Sequence, residues 1–292
     1  MGSPPPDNPP PPTTFTHGPG EYLHCRVVGS GARTILLLHG FAASLHTWDD
    51  LIPLFPPAEF TLHLLDLKGH GHSAKPAAGD YSTIHNARII TAYIRSRGLD
   101  DVSIIGHSYG GVVGLLTAMD CPNITSLILI GSPGFPQRIP RFMKLLRLPF
   151  IGPLLISAIP AEKIARRGLE VAFHRHERIT MGLIERYASG YRPKGAARAL
   201  ANTVRQILPR NAGELIASYR ALTIPVLLLW GEHDRVVKVW QGEQLHGELR
   251  HSRLVMIPDC GHNPHEERPE ETFALIRDFL LARDVDNSGL TC

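Results

Sequence analysis

Three residues in this chain carry side chains that can act together on a carbonyl group. Ser108 lies in Gly-His-Ser-Tyr-Gly at 106–110, Asp234 ends Trp-Gly-Glu-His-Asp, and His262 lies in Gly-His-Asn-Pro at 261–264. A serine hydroxyl is a poor nucleophile near neutral pH, so it needs a histidine to take its proton and a carboxylate to orient that histidine. With 16 histidines in the chain, one alone says little. His262 is singled out because Gly261 precedes it and it falls just past an apolar strand pattern and before the last helical pattern. His265 is the nearest competitor, three residues on, where a helix N-terminus is expected. Glu232 and Asp259 compete for the orienting role; Asp234 is preferred because it lies beyond its strand, in a loop that can turn toward the site.

Elements that could hold these residues follow from the apolar patterning. Runs at 34–40 (TILLLHG), 61–69 (TLHLLDLKG), 102–108 (VSIIGHS), 126–132 (SLILIGS), 225–234 (PVLLLWGEHD) and 252–262 (SRLVMIPDCGH) read as strands buried on both faces. Amphipathic segments at 83–97 and 267–283 are long enough to cross over a sheet. The fold class predicted is α/β, with a mostly parallel central sheet and helices on both faces. Residues 133–223 break the rhythm with about 90 residues of helical pattern, more than a crossover needs, and read as an inserted helical cap. The core is then expected at 22–132 and 224–284, after a proline-rich arm at 1–21 and before a flexible tail at 285–292. No internal repeat is evident.

Ser108 thus falls where a buried strand gives way to a helix. A sharp turn there needs glycines on both sides, and it lifts the hydroxyl clear of the sheet. The first amides of the helix lack intrahelical partners, so the Tyr109 N–H can face a developing negative charge. A second donor is expected from the Phe41 N–H in "HGFAAS", with the His39 side chain bracing that loop.

The 292 residues, 43% apolar, suffice for one large core or a core with an insertion. There is no basic-then-apolar leader and no apolar run long enough for a bilayer span, so the cytosol is the expected compartment. Gly2 invites myristoylation, but Pro6 stands where that signal wants Ser or Thr. Cys25, Cys121, Cys260 and Cys292 form no CxxC pair; they read as free thiols rather than a zinc site or disulfide framework. Cys260, two residues before His262, reads as a small buried hydrophobe. Neither metal nor cofactor is expected.

The ordered blocks "HGF", "DLKGHGHS", "GHSYGG", "WGEHD" and "GHNPHEERPE" resemble the signature blocks of the α/β-hydrolase superfamily over 22–283. The resemblance implies Ser108 as nucleophile, His262 as base, Asp234 as its orienter, and Phe41 and Tyr109 as oxyanion donors. It also implies a structural turn at Asp66, and a local change of pairing where Lys68 replaces the arginine of many members. Haloalkane dehalogenases and epoxide hydrolases of the superfamily place aspartate where this chain has Ser108. The classes left are hydrolysis of carboxylic esters, small or lipid-like; carbon–carbon bond hydrolysis of diketone-type acids; a few lyases or thioester hydrolases; and a slow-turnover ligand-binding receptor. Ester hydrolysis is preferred, since "FAASLHTW" lacks the arginine or asparagine that carbon–carbon hydrolases usually place near the oxyanion loop.

Charge divides unevenly. Residues 135–220 hold sixteen Lys and Arg against five Glu, a net +11 in a chain of net +3, so the rest carries −8. The expectation is an apolar cleft under a basic cap that takes a small-molecule ester, with anionic esters favoured if the charge acts as a guide. Nucleic acid is not expected, as no aromatic-interleaved basic motif is present. The segment at 141–160 mixes Arg141, Lys144 and Arg147 with Phe142, Leu145 and Leu146; burial against the core is preferred there to docking on a membrane surface.

Overall fold

The computed structural model describes residues 13–137, 147–148, 151–208 and 212–288. Eight strands, β1 (Thr14–Gly18), β2 (Glu21–Val28), β3 (Arg33–Leu38), β4 (Phe60–Leu65), β5 (Val102–His107), β6 (Ile124–Ile130), β7 (Val226–Gly231) and β8 (Ser252–Ile257), form one sheet. Their order is β1-β2-β4-β3-β5-β6-β7-β8. β2 runs antiparallel to β1 and β4, and all pairings from β4 through β8 are parallel.

The inner parallel strands, β3 and β5 to β7, are mostly apolar because both faces are covered. Leu36 pairs with Ile104, Ile104 with Leu127, and Leu127 with Val226. That row faces α1 (Thr83–Ser96) and α2 (Tyr109–Asp120), packing on Ile89, Ile90 and Val113. The alternate row, Ile35, Leu37, Ile105, Ile128 and Leu227, packs on Trp48, Leu51 and Phe55, and on Ile276 and Leu280.

Between β6 and β7 lie α3 (Ile151–Ala158), α4 (Ala161–Ala172), α5 (Met181–Ser189), α6 (Ala196–Gln206) and α7 (Ala212–Ser218). This insertion has a small core of its own, Ala165, Leu169 and Phe173 against Leu183, Ile184 and Ala188. It is tied down by Thr83 Oγ1 donating to Ile207 O at 2.7 Å and by Arg186 pairing with Asp50 at 3.2 Å. After β7 come α8 (Trp240–Glu248), the short α9 (Pro264–Glu267) and α10 (Pro269–Ser288). Among the described residues no helix is long and apolar enough to cross a membrane.

Two expected boundaries are corrected. The solvated arm does not reach residue 21, because Thr14–Gly18 pair with β2 as an edge strand. Nor does the chain leave its helix at 284: α10 continues to Ser288. The readings made for residues 1–12, for Arg138, Arg141, Phe142, Lys144, Leu145, Leu146 and Arg210, and for Cys292 and the rest of the tail from 289, lie outside the described residues. Cys25, Cys121 and Cys260 are buried and free.

Candidate active site

Ser108 caps α2 with φ +50° and ψ −118°, an unusual conformation for a residue with a side chain. The glycines around it are required by contact. A Cβ on Gly110 would stand 2.2 Å from Leu38 O, and one on Gly106 would stand 2.5 Å from Gly111 Cα. The turn is fixed to the sheet by Ser108 N donating to Ile130 O at 2.8 Å. Ser108 itself is half-buried, within reach of solvent.

The loop after β3 passes directly against this turn, since a Cβ on Gly40 would lie 3.3 Å from Ser108 Cβ. The Phe41 N–H belongs to the peptide that follows Gly40, and the Tyr109 N–H opens α2. The two expected oxyanion donors therefore come from chain segments that meet at Ser108. His39 braces the loop: its Nε2 accepts from Leu67 N at 3.0 Å, so Nδ1 carries the proton and donates to Gly40 O at 2.8 Å. Burial lowers the pKa of His39 and keeps the ring neutral. Asp66, at the turn after β4, accepts from Leu45 N at 2.7 Å and His72 N at 2.8 Å. Burial opposes its ionisation, but these bonds and His24 and His39 hold it well below the usual carboxylate range. Lys68 pairs with Glu21 and lies over the Tyr81 ring.

On the far side of Ser108, the loops after β7 and β8 are stapled by Glu232 N to Ile257 O (3.0 Å) and His233 N to Cys260 O (2.9 Å). This brings Asp234 and His262 together, with His262 Nδ1 2.8 Å from Asp234 Oδ2 and both side chains buried. The other Asp234 oxygen accepts from Val236 N and Val237 N, each at 2.8 Å, which fixes the carboxylate plane. A carboxylate only accepts, so Nδ1 donates to it, and in the neutral ring the lone pair is then on Nε2. Gly131, next to the residue that binds Ser108 N, would place a Cβ 3.0 Å from His262 Nδ1 and 3.2 Å from Asp234 Oδ2. The pair thus lies beside the turn that carries Ser108.

The competitors lie elsewhere. His265 is fully buried, bonds Thr47 Oγ1 at 2.8 Å, and is driven down to about 3 by burial, with His262 adding to the effect. Asp259 pairs with Arg268 at 2.7 Å and His174 at 3.3 Å. Glu232 is exposed.

Beneath His262 the structure gathers residues the sequence did not single out. Tyr187, from the insertion, donates to Glu266 Oε2 at 2.7 Å and lies 3.1 Å from Thr47 Oγ1. Asn263 Nδ2 donates to the same carboxylate oxygen. Burial pushes the Glu266 carboxyl up to about 7, against the hydrogen bonds from Tyr187 and Asn263 that favour its ionisation. His107, whose ring burial keeps neutral, bonds His262 O through Nε2 at 3.0 Å. A pocket of about 400 Å³ lies within the insertion, between Ile156, Ser157, Ile164 and Tyr191. Its wall includes none of Ser108, Asp234 or His262. Among the described residues no cluster of His, Cys, Asp or Glu is placed to hold a metal ion.

The family model of the alpha/beta hydrolase fold matches residues 33–269. The chain is 30% identical over 280 residues to a monoacylglycerol lipase of Xenopus laevis, covering 89% of this chain and 80% of that protein. It is 27% identical over 297 residues to epoxide hydrolase 3 of Xenopus tropicalis, covering 92% and 79%. The solved structure of a thermophilic esterase from Thermogutta terrifontis matches with a TM-score of 0.77 at 23% identity, over 93% of this chain and 97% of that one, a likeness of fold. The family match runs from the start of β3 past α9 and takes in every loop described above, and so the chain belongs to the α/β hydrolase fold family.

Proposed function

We propose that this protein is a serine hydrolase that cleaves carboxylic esters of small or lipid-like apolar substrates through an acyl-enzyme on Ser108. The observation that carries the reading is the buried 2.8 Å contact between His262 and Asp234 beside the strained turn at Ser108. Ser108 Oγ attacks the ester carbonyl carbon as His262 Nε2 takes the hydroxyl proton, and Asp234 stabilises the imidazolium while remaining ionised. The tetrahedral oxyanion is held by the N–H groups of Phe41 and Tyr109, a pair in which one donor is typically worth ~10²–10³ in kcat. Collapse expels the alcohol, which takes the proton back from His262. Water then attacks the acyl carbon, loses its proton to His262, and the acid leaves as Ser108 is restored.

A serine at the nucleophile position favours this chemistry over that of the epoxide hydrolase relative. The lipase named among the relatives supports an ester with an apolar acyl chain, and the basic insertion favours an anionic one. Three unpaired thiols fit a cytosolic setting. The test is turnover of a short activated ester by the wild type and Ser108→Ala. Substitution should cost at least ~10⁴-fold in kcat, because only the attacking hydroxyl is removed. Turnover within about tenfold of wild type would sink the mechanism, and stoichiometric labelling by a fluorophosphonate without multiple turnover would favour a ligand-binding receptor.

A further inference from the structure

We infer that Glu267 is a positioning residue for His262, and that it acts by clamping the histidine loop to the C-terminal end of α4 in the insertion. The inference rests on the proposed function, in which His262 is the base.

Asp234 fixes the rotation of the His262 ring, but the ring's distance from Ser108 is set by the backbone that carries it. That backbone belongs to no strand or helix, since β8 ends at Ile257 and α9 begins at Pro264. The amides of Gly261, His262 and Asn263 all end on the clamp. Gly261 N donates to Glu267 Oε1 at 2.9 Å and Asn263 N to the same oxygen at 3.4 Å. His262 N donates to Ala172 O, the last residue of α4, at 2.7 Å. The other carboxylate oxygen, Oε2, accepts from His174 N at 2.8 Å and Arg175 N at 2.9 Å, just past α4. Glu267 is buried, so a single carboxylate out of water gathers four backbone amides, two from the histidine loop and two from the insertion. Amide dipoles converging on one anion make a rigid joint, stronger than neutral hydrogen bonds.

Gly261 shows how close the two segments lie. A Cβ there would stand 2.3 Å from Ala172 O and 2.5 Å from His174 N. The end of α4 is therefore part of the wall that sets where His262 sits, and Glu267 holds the wall to the loop.

Glu267→Gln keeps the shape but leaves one acceptor oxygen, and its NH2 group then faces N–H donors, so one half of the clamp opens. In the folded variant, kcat for the activated ester should fall roughly 10- to 100-fold, the scale of a misplacement near 1 Å. KM should move by less than about threefold, and fluorophosphonate labelling of Ser108 should slow in step with kcat. Hydrogen exchange should quicken at 261–263 and 172–175 together while the strands stay protected. A role in folding alone lowers the melting temperature and leaves kcat per labelled site unchanged.

Arg175 supplies a second variant, needed if Glu267→Gln does not fold. Its φ of −88° lies near the range proline accepts, so Arg175→Pro deletes one amide of the clamp. Compared with Arg175→Ala, which keeps that amide, it should lower kcat and spare KM. Turnover within about twofold of wild type in folded Glu267→Gln, or equal turnover in Arg175→Pro and Arg175→Ala, overturns the inference. Ser108→Ala run alongside separates the two failures: if it retains activity, the proposed function fails rather than the clamp.

Discussion

Replacing Glu266 by glutamine should stabilise the protein above neutral pH and leave it little changed in acid. Its carboxyl is buried, with Oε2 satisfied by Tyr187 and Asn263 and Oε1 without a partner. Burial raises it from an ordinary 4.5 to about 7. A carboxyl that holds its proton more tightly in the folded state contributes stability that is fully present below 4.5 and is lost as pH rises through 7. At about 1.4 kcal/mol per pH unit, the loss is on the order of 3 kcal/mol. Glutamine keeps an acceptor oxygen for Tyr187 and Asn263, turns its amide toward the unpaired site, and cannot ionise. The stability difference between variant and wild type should therefore open in favour of Glu266→Gln by on the order of 3 kcal/mol between pH 4.5 and 8. For 292 residues and about 2.1 cal/mol/K of unfolding entropy per residue, that is about 5 °C in Tm. Paired thermal melts at half-unit pH steps measure it. A difference that stays constant with pH, or that opens the other way, would refute the reasoning.

His262→Ala should abolish ester turnover by ~10⁴-fold or more, while His265→Ala, which removes a ring packed on Trp48 and bonded to Thr47, should lower Tm and keep kcat within about tenfold; the reverse result would reassign the base. Wild-type activity should fall on acidification, because the base must be neutral to accept the serine proton, and a profile flat to pH 5 would contradict a histidine base. For an anionic ester kcat/KM should drop as salt rises through roughly 0.05–0.5 M, while a neutral ester of equal acyl length should be nearly indifferent; parallel curves would remove any guiding role for the insertion's charge.

The turn at Ser108 was legible because its constraints are local. Gly106 and Gly110 are fixed by backbone contacts a Cβ could not survive, and four- to six-residue apolar runs announce strands covered on both faces. The antiparallel edge was missed for the opposite reason: β1 is mostly exposed and rich in Thr and His, with no buried pattern to find. Glu266 and Glu267 were illegible in a deeper sense. Two adjacent acids before a proline read as solvated charge in the first turn of a helix, and nothing local says that both are buried. Tyr187 lies 79 residues from Glu266 in the chain, so only the folded insertion brings it to the carboxylate.

The insertion's charge acquires a second meaning in the structure. Arg186 reaches Asp50, Arg220 reaches Glu248, and Arg175 approaches Asp259. Each pair joins a basic residue of the insertion to an acidic residue of the sheet domain, so the net +11 and −8 are in part complementary surfaces. Exposed pairs of this kind are worth little singly, yet Arg175, which approaches Asp259, also gives its backbone N–H to Glu267, and through Glu267 the insertion meets the His262 loop. Ser108 and the two amides proposed as oxyanion donors are positioned by the sheet domain, whereas the proposed base, His262, sits on a loop whose amides depend on the end of α4. Salt screens the exposed pairs and hardly reaches the buried carboxylate, so the clamp should hold at high salt and a neutral ester should stay nearly indifferent to it.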